Sequence, residues 1–93
     1  MIEITLKFTG EMWARVGIYQ TAFEFEGATL GDLLQTIFAR YNVRDLVLDA
    51  NDQFIFRSGV LVNGRSAKYL GGLAAPIHDG AEVILMRPSI GAM

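Results

Sequence analysis

Gly27-Ala28-Thr29-Leu30-Gly31-Asp32-Leu33-Leu34-Gln35-Thr36-Ile37-Phe38-Ala39-Arg40-Tyr41 is the stretch from which the fold can be read. Thr29 is a natural helix N-cap, because its hydroxyl can accept a backbone N–H that the first turn leaves unpaired. Asp32, three residues on, can return a bond to the cap's own backbone, as in a capping box. Its charge also suits the positive end of the helix dipole. Behind the cap, Leu30, Leu33, Leu34, Ile37, Phe38 and Tyr41 recur at steps of three and four. They draw one apolar stripe along an amphipathic helix over 30–41. Burial of such side chains is worth roughly 1.5–3 kcal/mol each, so this stripe should anchor the core. Phe38→Ala should cost roughly 3–5 kcal/mol if the ring is fully buried.

Upstream, Ile2, Ile4, Leu6 and Phe8 take every second position, with Glu3, Thr5 and Lys7 between them. Period two predicts a half-buried strand over 2–8. Gly10 and Gly17 interrupt it, so 9–18 reads as a connecting loop, and Tyr19, Thr21, Phe23 and Phe25 restore the alternation over 19–25. The two strands make a hairpin. Downstream, 42–52 holds Asp45, Asp49, Asn51 and Asp52 and reads as a loop, with room for a short helical turn around Leu46 to Leu48. Phe54-Ile55-Phe56 and Val60-Leu61-Val62 are apolar runs of the kind found in inner strands covered on both faces. Asn63-Gly64 marks a turn, 65–81 looks irregular, and 82–86 is the last strand. Pro88 stops it.

A hairpin, one main helix on one face of a mixed sheet, and a last strand beside the first make an α+β, ubiquitin-like β-grasp layout. The length of 93 residues allows one domain; 1–88 is assigned to it and 89–93 to a flexible tail. The apolar share of 52% exceeds what a single small core needs, so part of it should lie on a partner surface. One helix covers one face of a sheet, yet Phe54 to Phe56, Val60 to Val62 and Val83 to Met86 are apolar on both. The uncovered face is therefore the candidate interface, unless the loops at 42–52 or 65–80 fold over it.

A net charge of −2 gives no electrostatic footprint for nucleic acid or an anionic membrane. The absence of cysteine excludes disulfides, thiolate metal sites and a thiol nucleophile in this chain. The alternating start is unlike a signal peptide, and no apolar run suits a bilayer span, so a cytoplasmic protein is expected. His78 precedes an Asp79-Gly80 turn and reads as a surface residue with no second histidine to build a metal site. Asp49-Ala50-Asn51-Asp52 fails as a calcium loop, because Phe54 and Val60 stand where Gly and Glu are needed. Gly71-Gly72 lacks phosphate-loop spacing. Trp13 reads as a lid over the core edge. The chain is expected to be no enzyme and to hold no metal or cofactor.

Val60-Leu61-Val62-Asn63-Gly64-Arg65, Tyr69-Leu70-Gly71-Gly72-Leu73, Pro76-Ile77 and Asp79-Gly80-Ala81-Glu82-Val83, with the Thr29–Leu34 helix start, together resemble the MoaD/ThiS family of ubiquitin-related sulfur carriers. The resemblance implies a tail whose terminal carboxylate is adenylated by a ubiquitin-activating-like adenylyltransferase and converted to a thiocarboxylate. A sulfur-accepting synthase subunit, as in molybdopterin biosynthesis, is the second implied partner. Gly91, Ala92 and Met93 would be the activated segment, and Phe54, Phe56, Met86, Arg87, Pro88 and Ile90 the partner contacts. Homo-oligomerisation is an alternative use of the same face. The family ends in Gly-Gly, whereas this chain ends Gly91-Ala92-Met93. That departure keeps a second reading open: a β-grasp interaction module that has lost the tail chemistry.

Overall fold

The computed structural model describes residues 1–55 and 59–87. Alternation along β1 (Ile2–Gly10) turns Ile4, Leu6 and Phe8 to one side, where all three are buried. β2 (Gln20–Phe25) pairs with it antiparallel, setting Phe23 opposite Ile4 and Phe25 opposite Ile2. On the other side β5 (Glu82–Arg87) runs parallel to β1, and β3 (Gly59–Val62) runs antiparallel to β5. The two-residue β4 (Arg65–Ser66) completes a mixed sheet of order β2-β1-β5-β3-β4. This is the β-grasp arrangement expected from the sequence. Val60, Val62, Val83 and Leu85 join the β1 and β2 side chains on one inner face, and all are buried.

The main helix, α2 (Leu30–Arg40), follows the expected capping box. Thr29 is extended, and its Oγ1 accepts from the Asp32 N–H at 3.3 Å. Asp32 Oδ2 accepts in return from the N–H groups of Ala28 at 3.0 Å and Thr29 at 3.2 Å. These donors, Ala28 foremost, hold the Asp32 carboxyl below the usual carboxylate range. The close fit requires glycine at 27: φ there is +136°, and a Cβ would come within 2.5 Å of Asp32 Cβ. Leu30, Leu33, Leu34 and Ile37 are buried against the sheet. Tyr41 packs edge-on to Phe8, with ring centroids 5.2 Å apart. Phe38 departs from expectation. It lies at the margin of the stripe, half-buried, and leans on the core without entering it.

Between β1 and β2, the expected loop holds a short helix, α1 (Glu11–Val16), which sinks Met12 into the core. Gly17 closes it in the left-handed conformation, φ 82°. The two glycines that suggested a loop are the ends of this helix. A second short helix, α3 (Arg44–Val47), follows α2 and overlaps the turn expected around Leu46 to Leu48. Phe54 and Ile55 form no sheet strand. Phe54 pairs with Leu48 in an isolated bridge and the Ile55 N–H donates to the Val47 carbonyl, so this segment is fastened to α3. Phe56 lies outside the described residues. Residues 65–81 contain β4 and two 3-10 turns, Ala67–Tyr69 and Gly72–Ala74. They bury Ala67, Ala75, Ile77 and Ala81. Small side chains give no periodic signal, which is why their role in the core is illegible in the sequence.

Phe8 is the better probe of this core than Phe38. Phe8→Ala should cost about 3–5 kcal/mol and Phe38→Ala clearly less, a ranking that urea midpoints will measure. Asp32 makes a second test through pH. Its depressed carboxyl stabilises the fold above the ordinary aspartate range, and that contribution is lost as pH falls through the depressed value. Wild type should exceed Asp32→Asn in stability by a constant margin from neutral pH downwards, with the margin closing below about pH 4. A margin that persists unchanged at pH 2 would refute the carboxylate's part in the cap.

Candidate protein-binding face and tail root

The alternation that buries one face of the sheet presents Thr5, Lys7, Thr9, Leu61, Ile84 and Met86 on the other. Ile84 stands opposite both Lys7 and Leu61, and Met86 opposite both Thr9 and Gly59. Leu61, Ile84 and Met86 remain half-exposed, while their sequence neighbours Val60, Val62, Val83 and Leu85 are buried. β3 is thus covered on one face, not on both as its unbroken apolar sequence suggested, and β5 beside it is open on the same side. A Cβ added at Gly59, beside Met86, would meet nothing within 4 Å among the described residues. On the β1 side, Lys7 Nζ contacts Glu82 Oε2 at 2.9 Å. The bond to Glu82, reinforced by its charge, raises the Lys7 ammonium above its ordinary value. An exposed pair of this kind adds little stability. It does give the apolar strip a charged border, the pattern of a protein-binding surface.

Arg87 ends β5 among the described residues and lies opposite Gly10 of β1. Its side chain faces away from Met86 and meets α1: Nε donates to Glu11 Oε2 at 2.7 Å. Nη1 is buried without a hydrogen-bond partner among the described residues. The structure therefore sorts the proposed contacts. Met86 lies on the open face, and Arg87 beside it turns toward α1. Phe54 sits elsewhere, against Leu48 and near Gly72. Phe56, Pro88, Ile90, Gly91, Ala92 and Met93 lie outside the described residues. Leu61 and Ile84 share this face with Met86, and carrying the strand alternation one step further in the sequence would have singled them out.

Trp13 is 53% exposed and so is no lid. With Met12 turned inward, the next helical position must face out, where Trp13 meets Tyr19 edge-on at 6.3 Å. His78 is exposed ahead of its turn. A cleft of about 450 Å³ lies between α2 and the segment after α3, lined by Leu34, Phe38, Leu48 and Leu73 and spanned by the Arg44–Asp52 ion pair. Among the described residues no group of three histidine or carboxylate side chains is gathered to hold a metal, and no helix is long and apolar enough to cross a membrane.

No protein-family model matches the sequence, and no curated protein matches it. Solved structures do match by shape. SAMP1 from Haloferax volcanii aligns over 96% of this chain and 98% of its own, with TM-score 0.80 and 22% identity. The Haloferax volcanii HVO 2177 protein aligns over 97% of this chain and 86% of its own, with TM-score 0.79 and 28% identity. A putative molybdopterin converting factor subunit 1 from Pyrococcus furiosus aligns over 96% and 100%, with TM-score 0.72 and 20% identity. These neighbours share the β-grasp fold read from the sequence.

Two adjacent residues on opposite faces of β5 test the face assignment. Val83→Ser should cost on the order of 3 kcal/mol, through lost burial and a stranded hydroxyl. Ile84→Ser should cost less than about 1 kcal/mol, as a surface change does. Thermal melting of the pair measures the contrast, and equal losses would mean that both faces are packed.

Proposed function

We propose that this protein is a sulfur carrier of the MoaD/ThiS type, presenting its tail to a ubiquitin-activating-like enzyme. The observation that supports this most is spatial: a charged-rimmed apolar face runs along β5 to Met86, and the tail follows Arg87 directly. A partner docked on Leu61, Ile84 and Met86 would sit next to the segment on which it acts. The full-length likeness to proteins named as a modifier and as a converting-factor subunit points the same way.

In this reading a tail carboxylate oxygen attacks the α-phosphorus of ATP and pyrophosphate leaves, which gives an acyl adenylate. Hydrosulfide then attacks the carbonyl carbon, AMP leaves with the oxygen, and a thiocarboxylate remains. The chain has no cysteine, so the sulfur must come from another molecule. No side chain of this protein acts as catalyst; it is substrate and docking surface. The need for ATP fits a cytoplasmic setting. Molybdopterin synthesis is the receiving pathway closest to the resemblance, with a synthase subunit as second partner.

Glycine suits a tail that must thread a narrow channel, because it has no Cβ to clash. Gly91 meets that need, but Ala92 adds a methyl and Met93 a long side chain. The reacting carboxylate is therefore that of Ala92 after loss of Met93, or that of Met93 itself. The same residues support the second reading, an interaction module that keeps the face and has lost the chemistry.

Intact mass of the protein from its native host decides first. A chain shortened at the C-terminus, or one heavier by the difference between sulfur and oxygen, is the expected result. ATP–pyrophosphate exchange with a matching activating enzyme decides second. Exchange by an Ala92→Gly chain lacking Met93, with none by the natural tail, would assign the protein to the interaction-module class.

A further inference from the structure

The open face of the sheet is apolar toward one end and negatively charged at the other. Pairing of β1 with β2 sets Glu3 directly opposite Glu24, and strand alternation turns both to the face that Thr5 and Lys7 share. Both are exposed, and neither makes an ion pair among the described residues. Lys7 offers them no relief, because its ammonium is already bonded to Glu82 at 2.9 Å. Asp79 brings a third carboxylate close by, its Oδ1 accepting from the Glu3 N–H at 2.8 Å. Like charges directly opposite in an antiparallel pair weaken a sheet, whereas opposite charges in the same place support it. The fold therefore gains nothing from glutamate at both positions.

Leu61 and Ile84 stand level with Lys7, and Met86 stands opposite Thr9. Glu3 lies six positions before Thr9 on β1, which is about 20 Å at about 3.3 Å per residue. The apolar strip thus fills one end of the face and the facing carboxylates the other. An apolar strip alone lets a docked protein turn upon it. A second contact of different character, well away from the first, fixes the register of docking.

We propose that Glu3 and Glu24 receive a cationic patch, of Lys or Arg side chains, on the protein that docks on Leu61, Ile84 and Met86. The proposal rests on the reading of that protein as the activating enzyme. It specifies what the enzyme presents: an apolar patch, with a basic patch about 20 Å from it. Charge of this sign also turns away nucleic acid and anionic membranes. Its contribution is long-ranged and screened by salt, so it acts on the speed and direction of encounter, while the apolar strip holds the docked complex.

Glu24→Lys tests this without damaging the fold. It keeps a charge on the edge strand and makes the facing pair attractive, so the chain should stay monomeric and melt no lower than wild type. Binding of the full chain to the activating enzyme of its host is measured by calorimetric titration without ATP. In about 50 mM salt Glu24→Lys should weaken Kd about tenfold, and in about 500 mM salt by less than about twofold. Ile84→Ser should weaken Kd by a similar factor in both, because burial of apolar surface is not screened. Pyrophosphate exchange is then followed on the same pairs. Exchange that proceeds while wild type and Glu24→Lys bind equally overturns the proposal and leaves the carrier reading intact. The expected salt dependence, with no exchange by the natural chain or by Ala92→Gly lacking Met93, ends the carrier reading and leaves the charge assignment standing. A loss of affinity that salt does not reduce, or no binding by wild type, also overturns the proposal.

Discussion

The parallel pairing of β1 with β5 is the constraint on which the rest of the molecule depends. Two antiparallel strands can be joined by a tight turn, but a parallel pair needs a long crossover. Everything from Glu11 to Ala81 is therefore chain that must leave the first strand and return to lie beside it in the same direction. The main helix is placed by that return path. It is capped at one end by Thr29 and Asp32, and Leu30 and Thr29 are held to the 75–76 segment by a backbone bond and a bridge. β3 and β4 take the flank of β5 that β1 leaves free. The parallel pair also makes the chain's last described residue a neighbour of α1, which is how Glu11 comes to meet Arg87 across a separation of 76 positions.

Register along that pair carries a second consequence. In a strand the side chains alternate faces, so a slip by one residue would exchange the core with the surface. Matching Leu6 with Val83 and Phe8 with Leu85 buries four apolar side chains and turns Ile84 and Met86 outward. The open apolar face is the complement of the core, produced by the same hydrogen bonds.

Legibility in the sequence followed the regularity of the signal. The helix was plain because six apolar positions and a two-sided cap agree. β1 and β2 were plain because polar residues mark the intervening positions, and the full-length shape matches agree with the fold read from them. β3 and β5 were found, but β3 was read as covered on both faces: with Leu61 apolar as well, composition alone does not say which face is closed. α1 was hidden because six residues bounded by two glycines look like a loop, and only Met12 is fully buried in it. Phe38 was overvalued because the stripe was counted without its width; its margin is half in water. Phe54 was assigned to a strand by composition, although its partner is Leu48.

The two ends of the sheet differ in what they offer to another chain. At one edge β4 is only two residues long, too short to serve as a template for a further strand. At the other, β2 offers six residues, but Glu24 lies exposed within it and Glu26 follows immediately. Charges on an edge oppose the pairing of a further strand there. The sheet is thus closed to extension at its sides and available through its face.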